Sequence, residues 1–301
     1  MCIAINPLTE CFVGEVSGVN LQQSLSTETV SAIESGMDKY AVLVFRDQDI
    51  TDNQQLEFSQ NFGPVESSIG GNISSLRSTR PDQRRLSVDI ADLSNLDQDQ
   101  NIYAREDRRR LFNLGNRLWH SDSSFRAVPA KYSILSAHRL PANGPNTEFA
   151  DMRAAYDALD ASAKAEVEGM ICEHSLMYSR GQLGFTDFTE EERQIFAPVR
   201  QVLVRTHPVT LRKSLFLASH AGKIIGWPEA EARIFLRDLI EHATQLQFVY
   251  VHHWKLHDIV MWDNRQTMHR VRRFKDFEDV RDVRRTTISS DGPTTTQVAD
   301  T

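Results

Sequence analysis

Cysteine is scarce in this chain: three in 301 residues, at Cys2, Cys11 and Cys172. An odd number without metal-ligand spacing argues against a disulfide-built scaffold or a thiolate cluster and fits a reducing compartment. Long apolar runs are also missing, and nothing approaches the roughly 20 residues that a membrane-crossing helix needs. The first residues, Met1-Cys2-Ile3-Ala4-Ile5-Asn6-Pro7, have neither the basic start nor the apolar middle of a secretory signal. The expectation is a cytoplasmic protein with no membrane partner. Positive charge is in deficit, with 34 Lys and Arg against 41 Asp and Glu and a net charge of −7. That argues against binding along a phosphate backbone, so no nucleic-acid partner is expected. Pro/Gly/Ser-rich linkers and internal repeats are absent, and residues 1–301 read as a single domain.

What is present is a pair of histidine segments. Trp119-His120-Ser121-Asp122 offers a histidine and a carboxylate two positions apart. In a strand such residues project from one face, with Ser121 turned away. His269 follows the apolar run Ile259-Val260-Met261-Trp262, which reads as a buried strand. Two imidazoles and one carboxylate on one side of a metal leave its other side open, the facial arrangement of non-haem Fe(II) oxygenases. An H-x-D tripeptide alone is weak evidence in a chain with ten histidines. His138, His174, His207, His220, His242, His252 and His253 show no partner pattern and read as surface or satisfied core residues.

Arg281, Arg284 and Arg285 close the set. If their segment is a strand, Arg281 and Arg285 share one face and Arg284 takes the other. Inward arginines need anions, and a guanidinium matches a carboxylate bidentately. Near an iron, the pair suggests one carboxylate on a cosubstrate and another on a substrate. A basic, solvated edge strand is the competing reading.

Here the chain resembles the Fe(II)- and 2-oxoglutarate-dependent taurine/2,4-dichlorophenoxyacetate dioxygenase family, and within it the 2,4-dichlorophenoxyacetate enzymes most closely. The resemblance is carried by 116–125 around His120, by Asn146-Thr147-Glu148-Phe149-Ala150-Asp151 and the residues to Leu159, by 241–245, by Val260-Met261-Trp262-Asp263-Asn264-Arg265 and by Arg284-Arg285-Thr286-Thr287. It runs from about Asn6 to Asp291. It implies that His120, Asp122 and His269 hold Fe(II) and form the catalytic centre. Thr147 and Arg281 would bind the distal carboxylate of 2-oxoglutarate, Arg285 the substrate's acid, and Asn116 and Trp119 would shape the substrate pocket. With O₂ as second cosubstrate, 2-oxoglutarate would yield succinate and CO₂ while a small anionic organic acid is hydroxylated. The first expectation is an aryloxyacetate, cleaved to a phenol and glyoxylate. A taurine-like sulfonate, or hydroxylation or desaturation of a carboxylate natural product, is the alternative. A homo-oligomer is compatible with the sequence. The chain departs from the phenoxyacetate enzymes between Glu66 and Arg110, where it has no lysine (none lies between Lys39 and Lys131). This polar segment, 66–110, reads as a lid over the site, and 292–301 as a frayed tail.

Local patterns fill in the frame. Ser26 is placed to cap a helix with Val30, Ile33 and Met37 inward, and Thr51 with Gln54 forms a capping box. Strands are expected at 41–45, 132–137, 202–204, 215–217, 248–251 and 259–262, and helices at 151–159, 162–169 and 229–244. Short strands with outer helices suit a mainly β fold with flanking helices, a double-stranded β-helix of the jelly-roll, cupin-like kind. Periodicity alone does not separate that from another α+β sheet. The resemblance does.

Overall fold

The computed structural model describes residues 3–68, 85–142 and 144–298. Strands β1 (Ala4–Pro7) and β2 (Val13–Ser17) form an antiparallel pair. Helix α1 (Thr27–Tyr40) is capped by Ser26, whose hydroxyl accepts from the Thr29 amide, and it buries Ile33, Met37 and Tyr40. After β3 (Val42–Phe45), helix α2 (Asp52–Gln60) starts on the Thr51/Gln54 capping box. The chain continues through β4 (Ala91–Asp92), α3 (Arg108–Asn113), β5 (Ala130–Arg139), β6 (Thr147–Asp151), α4 (Met152–Asp157), α5 (Ala161–Val167), β7 (Ile171–His174), α6 (Leu176–Gly181) and α7 (Glu190–Ile195). It closes with β8 (Val199–Val202), β9 (Val204–Thr206), β10 (Lys213–Leu215), β11 (Ala221–Ile224), α8 (Glu229–Ala243), β12 (Val249–His252), β13 (Ile259–Asp263), β14 (Thr267–Val271) and β15 (Asp282–Ser289).

A seven-stranded sheet runs β1-β2-β3-β13-β5-β15-β4, and a smaller one runs β12-β6-β14. They face each other. Phe149 of β6 packs edge-on against Trp262 of β13, with ring centroids 5.4 Å apart, inside a core that includes Val42, Val44, Leu135 and Val260. The large sheet's outer face carries Leu43, Phe45, Ile134 and Met261 under α1 and α2. The central strands are thus buried on both faces, which explains their unbroken apolar runs. Helices α4 and α8 cover the smaller sheet through Ala155, Leu236, Leu239 and Met268. This is a mainly β double-stranded β-helix with flanking helices.

Several expectations change. Residues 202–204 are not one strand: β8 pairs with β7, β9 pairs with β10, and Leu203 is the buried joint between the two sheets. The tail is not frayed throughout. Residues Thr294–Val298 form a 3-10 turn, and the buried Thr294 hydroxyl donates to Gln201 Oε1 at 2.6 Å while accepting the Val202 amide. Residues 299–301 lie outside the described residues. In the 66–110 segment, 69–84 lie outside them too. The rest is built into the fold: β4 pairs with β15, Ile90 and Leu96 are buried, and α3 starts at Arg108. Its arginines are salt-bridged, Arg108 to Asp187 and Glu192 and Arg110 to Asp276. Among the described residues, no helix is long and apolar enough to cross a membrane, and both described cysteines, Cys11 and Cys172, are free.

Candidate active site

His269 sits mid-strand in β14, where the register against β6 sets it beside Phe149. Its backbone exchanges two hydrogen bonds with His120, 3.0 and 2.8 Å long, which form an isolated bridge. The chain then turns at once, and Ser123 adopts a left-handed φ of 53°. His120 and Asp122 are therefore not successive same-face residues of a regular strand. A bridge followed by a tight turn brings them together instead. Ser121 does turn away, donating to the Leu217 and Thr267 carbonyls.

The three side chains converge. Nε2 of His120 lies 3.8 Å from one Asp122 oxygen, and Nε2 of His269 lies 3.7 Å from the other. The three donor atoms all fall within 4.8 Å of one another, and each residue is buried. The imidazole rings stand with centroids 4.2 Å apart. Nδ1 of His120 is engaged by the Leu118 carbonyl at 2.8 Å, which leaves Nε2 as the free donor facing inward. Asp122 is fixed from three sides. Its amide donates to Asn264 Oδ1, its Oδ2 accepts from Ser133 Oγ at 2.7 Å, and its Oδ1 is paired with Arg285 Nη1.

The electrostatics suit a cation. Burial holds the His120 and His269 rings below their ordinary pKa, so both are neutral donors at pH 7. Burial alone would raise the Asp122 carboxyl. The Arg285 charge foremost, with the hydrogen bond from Ser133, outweighs it, and the pKa falls to about 2. Two neutral imidazoles and one ionised carboxylate are a donor set that Fe(II) takes well.

Two cavities meet at this centre, and both are lined by His120, Arg285 and Asn116. The smaller spans about 810 Å³ including its open mouth and holds Thr147, Arg281, Trp262 and His269 on its wall. Arg281 is buried. Among the described residues its guanidinium reaches only the Leu93 carbonyl, at 3.3 Å, and its Nε has no partner. Burial lowers its pKa to about 10 despite neighbouring Asp282. Thr147 Oγ1 accepts from Trp254 Nε1 at 2.9 Å, which leaves the threonine proton for another acceptor. A guanidinium without an anion beside a free hydroxyl proton fits a carboxylate-bearing ligand. The larger cavity spans about 1260 Å³ including its open mouth and is walled by Phe112, Phe125, Leu176 and Ile90 as well as polar groups.

Arg281 and Arg285 face this region together, whereas Arg284 points outward to Asp52 and Asp282. The solvated edge-strand reading fails, because β15 lies between β5 and β4 and its arginines are partnered or enclosed. Trp119 is a correction: it lines neither cavity. Its ring packs in the core beneath Arg270, whose guanidinium carbon lies 4.4 Å from the centroid. Two histidines read as surface or satisfied core are neither. His220 lines the larger cavity, with Nδ1 on Ser124 and Nε2 unpartnered. His174 is buried against Phe216 with both ring nitrogens unpartnered. Sequence reasoning also missed Ser133, Trp254 and Arg180, none of which carries a local motif. Asn264 lay inside a motif yet had no assigned role.

The model of the family described as taurine catabolism dioxygenase TauD, TfdA family matches residues 4–287. The alpha-ketoglutarate-dependent 2,4-dichlorophenoxyacetate dioxygenase of Cupriavidus pinatubonensis is 44% identical, over 97% of this chain and 99% of its own. An enzyme of the same name from a Burkholderia species is 45% identical, over 95% and 94%. Among solved structures, AAD-2 in complex with Mn(II) and N-oxalylglycine is 58% identical, with a TM-score of 0.93 over 98% of this chain and all of that one.

Proposed function

The chain belongs to the TauD, TfdA family of dioxygenases, and from that premise we propose that it cleaves an aryloxyacetate to a phenol and glyoxylate. It is a non-haem iron oxidoreductase that uses Fe(II), 2-oxoglutarate and O₂. The bound iron, with 2-oxoglutarate and O₂, supplies the oxidant that places oxygen into a C–H bond, and the cosubstrate leaves as succinate and CO₂.

His120 Nε2, Asp122 and His269 Nε2 would hold the metal, with the cavity side left open. Ser133 and Asn264 keep the carboxylate aimed. Thr147 and Arg281 would take the distal carboxylate of 2-oxoglutarate in the smaller cavity. Arg285 would take the substrate's acid. Its Nη1 stays on Asp122 while its Nε, buried and unpartnered, is left to donate. Asn116, on the wall of both cavities, would help shape the substrate end. The apolar wall of Phe112, Phe125 and Leu176 would receive the aryl ring. The methylene between ether oxygen and carboxylate would then lie beside His120 and Asp122, where the iron would be held. Hydroxylation there gives a hemiacetal, which collapses to the phenol and glyoxylate. We read the chain as one catalytic unit, and its free cysteines suit a cytoplasmic setting.

One observation carries this reading. The triad stands where two cavities join, and each cavity presents a buried arginine nitrogen with no partner. The test is incubation with Fe(II), ascorbate, 2-oxoglutarate and 2,4-dichlorophenoxyacetate under air. Equal amounts of succinate and 2,4-dichlorophenol are expected. Succinate formed at the same rate without acid, or with acid but no phenol, contradicts the proposal.

A further inference from the structure

Among the described residues, five arginines line the larger cavity, and four of them sit on carboxylates. Arg85 is paired with Asp92 and Asp282, Arg109 with Asp107, Arg126 with Glu66 and Arg285 with Asp122. Arg180 meets none among the described residues. It projects from α6, is only 4% exposed, and donates to Asn116 Oδ1 at 3.2 Å and Ser179 Oγ at 3.3 Å. Its Nε is buried with no partner. The Phe112 ring covers the guanidinium, whose carbon lies 4.5 Å from the ring centroid. Burial alone pulls its pKa down to about 9.

A buried guanidinium is costly unless an anion meets it, and one cation–π contact and two long neutral hydrogen bonds do not offset that cost. Yet the fold holds the group in place. Gly115 forms its floor, and a Cβ built there would overlap the guanidinium. The position is thus fixed by a missing side chain below, an aromatic ring beside it and Asn116 at its end. The guanidinium also shares the wall of one cavity with His120 and Arg285.

Building on the aryloxyacetate reading, we propose that Arg180 is a specificity-determining residue that makes a second cationic contact to the carboxylate of the substrate, jointly with Arg285. Arg285 alone is half-committed to Asp122, so its pairing discriminates weakly between an acid and a neutral analogue. Arg180 carries the remaining charge selection.

The test is calorimetric titration of the protein loaded with Mn(II) and 2-oxoglutarate, where no turnover intervenes. The titrants are 2,4-dichlorophenoxyacetate and its neutral amide. Arg180→Gln is expected to weaken acid binding by about 10-fold or more while the amide shifts less than about 2-fold. Arg180→Lys, which keeps a charge, is expected to recover most of the loss. Gly115→Ala keeps every charge and displaces the guanidinium, so it should reproduce the weakening with far-ultraviolet dichroism unchanged from the wild type. The affinity for 2-oxoglutarate stays constant throughout. Parallel weakening of acid and amide, or unchanged acid binding in Arg180→Gln and Gly115→Ala, overturns the inference. If the wild type turns over the acid while the acid-to-amide ratio is unchanged in the variants, the inference alone falls. If the wild type neither binds nor cleaves the acid, the substrate reading falls and the inference with it.

Discussion

Ser133, on β5, donates its hydroxyl to Asp122 Oδ2 at 2.7 Å and accepts in turn from Asn264 Nδ2 at 2.9 Å. The carboxylate that would bind iron is thereby tied to the middle of the large sheet. A ligand on a tight turn, next to a residue at positive φ, needs such a tether to stay aimed.

Ser133→Ala removes the tether and leaves the three donors in place. Fe(II) affinity is expected to fall by about 10-fold, within the range of 10- to 100-fold seen for lost outer-shell partners. The melting temperature of the metal-free protein should change far less than that of the Fe(II)-loaded protein. Competition with a chromogenic chelator gives the affinity directly, and an unaltered value would show that Asp122 is held adequately without Ser133.

Trp254 and Thr147 make a second pair. The indole N–H occupies a lone pair on Thr147 Oγ1, so the threonine proton is directed elsewhere. Thr147→Val is expected to raise the KM for 2-oxoglutarate by about 10-fold or more, the loss of one hydrogen bond to a charged group. Trp254→Phe is expected to raise it by a smaller factor, about 3-fold, because the hydroxyl remains but loses its orientation. In neither variant should the KM for the organic acid move comparably. A larger effect on the acid than on 2-oxoglutarate would mean that the two cavities are assigned the wrong way round.

Acid stability has an identifiable contributor in Asp282. Burial would raise its carboxyl, but hydrogen bonds and charge from Arg85 and Arg284 dominate and bring it down to about 2. The unfolded chain binds that proton nearer pH 4. Its stabilisation is therefore fully present above about pH 4 and lost as the pH falls through about 2, and it amounts to about 2 kcal/mol. In Asp282→Asn, denaturant stability at pH 6 should drop by about that much or more, since two arginines lose a partner. The fall between pH 4 and 2 should be correspondingly shallower than in the wild type. Identical acid limbs would exclude Asp282 as the contributor.

The parts of this molecule that were legible in its sequence are those with a local cause. The Ser26 cap and the Thr51/Gln54 box follow from hydrogen bonds made within a few residues. The strand around Met261 follows from burial on both faces. Arg281 and Arg285 line the same cavity, although Arg281 precedes β15 and the register against β5 shifts at Asp282/Val283, and Arg284 points away to Asp52. What stayed hidden depends on pairing across long separations. Nothing local marks Trp254 as a neighbour of Thr147, or Arg180 as a neighbour of Asn116, since each contact joins segments remote in the chain. His220 looked like any core histidine until the fold placed it beside the metal site. The regular strand expected at His120 failed for a related reason: a motif gives the spacing of ligands, whereas the bridge to His269 and the turn at Ser123 determine how that spacing is realised. Trp119 stood next to a ligand in sequence, but its ring went to the core under Arg270.

The central claim is that His120, Asp122 and His269 together hold one ferrous ion. The most direct measurement is anaerobic Fe(II) binding by equilibrium dialysis, with 2-oxoglutarate present, for the wild type and for His120→Ala, Asp122→Ala and His269→Ala. One tightly bound Fe(II) per chain is expected in the wild type and no tightly bound ion in each variant, with far-ultraviolet dichroism unchanged. One ion per chain retained at wild-type affinity in any of the three would contradict it.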